Sequence, residues 1–234
     1  MSSTTVAAIS GKITARIASI HIDPACNSFL NDCFKQFGIS VVAAEEDPAA
    51  LFNRQKFEAC VLRLYDPDAD RILKAARNSP SNRRLVVYGI ARNTQEALRY
   101  SAYGINAVLD EPLDRQSVLK VVRATHLLVI HELRRYVRIP VVSQAEIDPG
   151  NRALIAVTTV EVSSGGMSVR CATPLPKSDP IRLMLSLPGL EKLSVRAFIC
   201  WYRETDKVYG LRFDSSDERR LKVRGWIDQY LEIV

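Results

Sequence analysis

Two patterns of apolar residues share this chain, and the switch between them near Pro140 limits what it can fold into. Before the switch, apolar runs at 13–22, 39–44, 57–64, 84–90 and 105–109 alternate with stretches of helical spacing. The clearest of these stretches carries Cys26, Phe29, Leu30, Cys33, Phe34 and Phe37 on one face, the stripe of an amphipathic helix. Shorter helices are expected at 48–54, 68–77 and 93–100, the last capped by Asn93 or Thr94. Apolar strands separated by helices call for a parallel sheet covered on both faces. The first half is therefore expected to be a doubly wound, five-stranded α/β domain.

After the switch, strand-like runs at 139–147, 154–162, 167–171, 181–187, 193–202 and 208–213 are separated only by turns such as Asp148-Pro149-Gly150-Asn151 and Pro188-Gly189. Six such strands predict a small antiparallel β-barrel. A terminal helix is expected from Ser215, where Ser215-x-x-Glu218 has the form of a capping box. Val223, Trp226, Ile227, Tyr230 and Leu231 would form its stripe over the barrel. The two patterns meet in a long helix at 114–133, about 30 Å in length. Val118, Val122, Val129 and Leu133 mark one face of it, while Leu119, Leu127, Leu128 and Ile130 spread apolar surface over others. That surplus predicts burial against a second domain or a second chain, and a homodimer paired through this helix is the expectation. The expected domains are 13–130, including the long helix, and 131–234.

Charge removes one class of partner. The net +6 divides evenly, with 16 Lys+Arg against 13 Asp+Glu in residues 1–130 and the same numbers in 131–234. Neither half is a basic lobe, and duplex DNA is not expected as a partner. No apolar run reaches the roughly 20 residues of a membrane span. The N-terminus has no basic residues ahead of its short apolar stretch, unlike a signal peptide. The expectation is a cytoplasmic protein with a frayed first ten residues and no membrane insertion. Five cysteines form no CxxC pair and read as reduced core residues; three histidines give no metal-ligand spacing, and His21 reads as a packed strand residue. No nucleophile–base constellation or phosphate-binding loop is present, so no enzyme, catalytic residue, metal or cofactor is expected.

Two segments resemble known families. Gly104-Ile105-Asn106-Ala107-Val108-Leu109-Asp110-Glu111-Pro112-Leu113, in this order of elements, is similar to the closing segment of response-regulator receiver domains. The resemblance implies a phosphorylation pocket of an acidic pair, an aspartate, a Ser/Thr and a lysine. Here His21 and Ile22 stand at the acidic pair, Arg63 at the phosphoacceptor, Gly89 at the Ser/Thr and Glu111 at the lysine. Aspartyl phosphorylation needs a metal ion and a cation to neutralise the phosphoryl oxygens. The first half is therefore expected to be a pseudo-receiver that is not phosphorylated.

Residues 131–232 resemble PilZ domains, small barrels that bind the bacterial messenger cyclic di-GMP. Arg134-Arg135-Tyr136-Val137-Arg138 contains that family's RxxxR. Glu161-Val162-Ser163-Ser164-Gly165-Gly166-Met167 matches its (D/N)xSxxG, with Glu161 in place of Asp or Asn. Cys200-Trp201 followed by Tyr209-Gly210-Leu211-Arg212-Phe213 is like its late hairpin. The resemblance implies cyclic di-GMP as ligand, held by Arg134, Arg135, Arg138, Glu161, Ser163 and Gly166. Arginine forks suit phosphate or a guanine edge, and residues i and i+4 project to one side, so Arg134 and Arg138 are expected to converge. The competing view of these arginines is the solvated end of a helix, where cations favour the C-terminal dipole. Trp201 is expected in the core or at the barrel lip. Two functions follow: a cyclic di-GMP effector acting on an unidentified downstream protein, or a degenerate scaffold working only through protein contacts.

Overall fold

A two-residue strand, β1 (Thr5–Val6), precedes the α/β half in the computed structural model, which describes residues 5–6, 14–44, 47–150, 153–175 and 180–233. The apolar runs of the first half become β2 (Ala15–Ile20), β3 (Ile39–Ala44), β4 (Ala59–Arg63), β5 (Val86–Ala91) and β6 (Ala107–Asp110). Between them lie α1 (Pro24–Lys35), α2 (Pro48–Arg54), α3 (Ala69–Asn78) and α4 (Thr94–Arg99), and after β6 comes α5 (Arg115–Tyr136). Local chemistry starts these helices. Asp23 accepts from the Cys26 amide, Asp47 from those of Ala49 and Ala50, and Asn93 from that of Glu96.

The five strands are all parallel, in the order β3-β2-β4-β5-β6. This is the 2-1-3-4-5 order of flavodoxin-like and receiver folds. Alternation divides the sheet between two cores. Ile17, Val61, Tyr88 and Ile90 pack with Leu30 and Phe34 of α1 and Val118, Val122 and Val129 of α5. Ile20, Cys60, Leu62 and Val87 pack with Phe52 of α2 and Ile72 and Leu73 of α3. Polar contacts also fix α5: the Tyr88 hydroxyl lies 2.7 Å from Thr125 Oγ1, and Lys56 pairs with the buried Glu132 at 3.0 Å. Leu127 and Leu128 are left 75% and 49% exposed.

The second half contains β7 (Ile139–Val142), β8 (Gln144–Asp148), β9 (Ile155–Ser163), β10 (Gly166–Arg170), β11 (Ile181–Leu185), β12 (Leu193–Arg203), β13 (Val208–Phe213) and α6 (Arg220–Ile233). Six antiparallel strands, β9-β10-β13-β12-β11-β8, close into a barrel through the β8–β9 pairing. The run expected as one strand at 139–147 divides at Ser143. There the buried Thr159 hydroxyl accepts from the Ser143 amide at 2.9 Å, and the Thr159 amide donates to Ser143 O. β7 pairs with β9, and β1 adds to β7 through Thr5↔Val142 and Val6↔Val141, so these two N-terminal residues are paired rather than frayed. Residues 7–13, which include the expected start of the first strand, lie outside the described set. The chain divides into Thr14–Leu133 and a second unit of Arg134–Val234 with the N-terminal strand. No described helix is long and apolar enough to cross a membrane.

The terminal helix starts five residues later than the Ser215 capping box implies. Asp214 takes Ser216 N and Oγ, and the carboxylate of Asp217 accepts from Arg196 N at 2.8 Å, Arg219 N at 3.1 Å and the Arg219 guanidinium at 2.8 Å. A deeper site, reached through tertiary contact with β12, displaces the local cap. Val223, Trp226 and Ile227 are buried as expected, and Trp226 Nε1 donates to Pro188 O. The Arg219 guanidinium holds the Asp217 carboxyl far below the usual carboxylate range. A depressed folded pKa stabilises above the unfolded value near 4 and is lost as pH falls through the folded one. Asp217→Asn should cost about 1–3 kcal/mol in urea unfolding at pH 7 and reduce the loss of stability below about pH 4. An unchanged midpoint would show that Asp217 does not hold the start of α6.

Candidate functional site

In the barrel half, the site residues come from three places: the end of α5, the β9–β10 turn and the β12–β13 pair. A cavity of about 360 Å³ is lined by Arg135 and Arg138, by Ser163 and Gly166 with the residues between them, and by Trp201 and Arg212. The turn is tight because Ser163 Oγ donates to Gly166 O at 2.9 Å. Gly166 is required by the neighbouring strand, since a Cβ there would lie 2.0 Å from Leu211 O. Glu161 reaches the rim through Arg138, whose Nη1 lies 3.5 Å from Glu161 Oε1. Arg212 lies across from Phe198, its guanidinium 5.1 Å from the ring centre.

Four of the six residues expected to bind ligand, Arg135, Arg138, Ser163 and Gly166, line this one cavity. Arg134 does not. Its Nε lies 3.0 Å from Asp228 Oδ1 on α6. The expected convergence of Arg134 and Arg138 fails because α5 ends at Tyr136, which puts Arg138 beyond the helix and breaks the i, i+4 relation. Arg135 takes the facing position instead. Arg212 and Trp201 were not assigned to the site from sequence. The YGxRF hairpin was the available signal, but it gave no direction for their side chains. Cys200 is also corrected: Cys33, Cys60 and Cys171 are buried, whereas Cys200 is exposed at the cavity wall.

Residues 132–231 match the PilZ domain model. No curated protein matches the chain. The matched segment begins two residues before Arg134 and contains every residue that lines the cavity.

The α/β half is similar in structure to receiver domains. The magnesium-bound receiver domain of a Pseudomonas aeruginosa sensor histidine kinase has 16% identity and a TM-score of 0.41, over 48% of this chain and 97% of that one. The chemotaxis response regulator CheY4 of Vibrio cholerae has 15% identity and a TM-score of 0.43, over 48% and 98%. A sensor protein from Polaromonas has 20% identity and a TM-score of 0.41, over 50% and 98%. Strand order is the feature of this chain that carries the receiver-like fold.

At the C-terminal edge of that sheet, the position expected for a phosphoacceptor holds Arg63. Its guanidinium bonds Asp23 at 2.7 Å and lies 3.7 Å from Glu111. The Arg63 bond draws the Asp23 carboxyl below its ordinary range, and burial followed by a hydrogen bond with Glu111 raises the Tyr65 hydroxyl. Leu64 fills the space beside Gly89, where an added Cβ would sit 2.5 Å from it. His21 is not packed in a strand: it is exposed, with φ +53°, and its Nδ1 lies 3.1 Å from Asp66. Ligand atoms of His21, Asp66 and Asp68 lie within 4.8 Å of one another, although Asp68 also pairs with Arg71.

The division between neighbouring arginines is directly testable. Arg134→Ala should speed amide exchange along α6 by the equivalent of up to about 1 kcal/mol, whereas Arg138→Ala should leave α6 unchanged. Equal exchange in the two variants would deny Arg134 a hold on the helix.

Proposed function

We propose that the chain is a cyclic di-GMP receptor, an effector rather than an enzyme, acting in the cytoplasm of a bacterial cell on a downstream protein. The observation that carries this reading is the gathering of Arg135, Arg138 and Arg212 with the 163–166 turn around one cavity. Three guanidinium forks match a ligand with two phosphate charges and two guanine edges. Ser163 and the glycine-bearing turn allow close approach by phosphate or base. The ion pair to Glu161 must open for Arg138 to present its full fork; this is the cost of the residue that replaces Asp or Asn.

The receiver-like half supports regulation without phosphorylation. Arg63 presents a cation where a carboxylate nucleophile is needed, and Asp23 and Glu111 already occupy it. Incubation with acetyl phosphate and magnesium should therefore give no acid-labile adduct by mass spectrometry. A phosphate on Asp23 or Asp66 would overturn this assignment. The exposed Leu127 and Leu128 support a homodimer through α5. Light scattering should give about twice 26.2 kDa, and Leu127→Glu should give monomers.

The second reading, a scaffold acting only through protein contacts, is favoured by the Arg138–Glu161 pair, which neutralises one wall of the cavity. Titration calorimetry separates the two. Cyclic di-GMP should bind, and Arg138→Ala should weaken binding at least tenfold, since each charge-assisted hydrogen bond contributes about 1.5–3 kcal/mol. Glu161→Gln should bind more tightly than the unaltered chain. Absence of heat at high micromolar nucleotide would leave the scaffold reading.

A further inference from the structure

One wall of the cavity is formed by Trp201, whose direction the hairpin motif does not give. Along β12, alternation from Leu193 through Val195 and Ala197 places odd-numbered residues inside the barrel, and these three are buried. Continued without interruption, it would put Trp201 inside as well. The register against β13 instead shifts between Ile199 and Trp201: Ile199 opposes Leu211, and Trp201 opposes Gly210. Cys200 is the extra residue of this bulge. A one-residue bulge moves every later side chain to the other face. The indole therefore leaves the core and is 44% exposed where it lines the cavity.

Gly210 makes that position possible. A Cβ on residue 210 would lie 2.0 Å from Trp201 Cε2 and 2.1 Å from Nε1, so any other residue would push the ring away. The indole rests on the bare backbone of β13, a place that a side chain at residue 210 would deny it. Arg203 adds a guanidinium 5.9 Å from the ring centre. A large aromatic left part-exposed loses the burial that normally justifies it, worth about 25 cal/mol per Å². Here a bulge and a glycine combine to hold one in the open, on the wall of a cavity that also carries Arg135, Arg138 and Arg212. A planar aromatic surface beside arginine forks is the arrangement that takes up an unstacked nucleobase.

We infer that Trp201, turned outward by the Cys200 bulge and floored by Gly210, is a preformed stacking platform for a purine base of the ligand. The inference rests on the proposed nucleotide site and deepens it: the arginines hold charge and base edges, and the indole takes the flat face. A ring already on the cavity wall lowers the ordering cost of binding.

The test compares Trp201→Leu with Trp201→Phe by titration calorimetry with cyclic di-GMP. Trp201→Leu keeps an apolar residue but removes the aromatic plane. It should bind about 5- to 150-fold more weakly, the 1–3 kcal/mol of a base–aromatic stack at 1.4 kcal/mol per tenfold. Trp201→Phe should recover most of that loss. A merely structural role would make the two variants alike. A second readout needs no change at the site. With Trp226 replaced in Trp226→Phe, the remaining emission comes from Trp201, and cyclic di-GMP should quench it in step with the calorimetric isotherm. If that variant does not fold, the same quenching is read in the unaltered chain as the fraction lost on saturation. Binding in the unaltered chain with equal affinity in Trp201→Leu overturns the platform and leaves the nucleotide site standing. No heat in the unaltered chain overturns both.

Discussion

Pairing of β8 with β9 closes six strands into a barrel, and the candidate site depends on that closure. A closed barrel removes sheet edges and fixes which side of each strand faces inward. It also brings the 163–166 turn beside β13, where Gly166 lies against Leu211 O and Gly210 lies beneath the indole. Two glycines at consecutive points of close approach let β13 carry both walls. The arginine segment enters from α5 and runs into β7, which is itself paired to β9 at Ile139 and Pro140.

The receiver-like half solves a different problem with the same kinds of side chain. Charge at the C-terminal edge of its sheet is balanced internally: Arg63 is held between Asp23 and Glu111. In the barrel, Arg135, Arg138 and Arg212 line a cavity, and Glu161 meets Arg138 at its rim.

Much of this was legible in the sequence because it is periodic. The stripe on α1, the apolar runs of the parallel sheet, the turn-separated strands of the barrel and the buried face of α6 all repeat at 3.6 or 2 residues. The motif spacing of Ser163 and Gly166 likewise survived folding. The misses were aperiodic. Arg134 was expected to converge with Arg138, but the helix stops between them and Asp228 captures the first. The Ser215 capping box lost to Asp217, which is anchored by Arg196 from β12. Trp201 was expected in the core or at the lip, and local alternation could not decide between the two because it has no sign for a bulge.

The sequence by itself determined the two architectures and the turn at Ser163–Gly166, because hydrophobic period and turn chemistry act over a few neighbours and are written locally. The tertiary structure alone decided which arginine faces the cavity, which carboxylate each one meets, and on which side of β12 the indole emerges. Those outcomes turn on where a helix ends, where a register slips by one residue and which distant strand comes close. Each is a competition among contacts far apart in the chain, and no local pattern records its result.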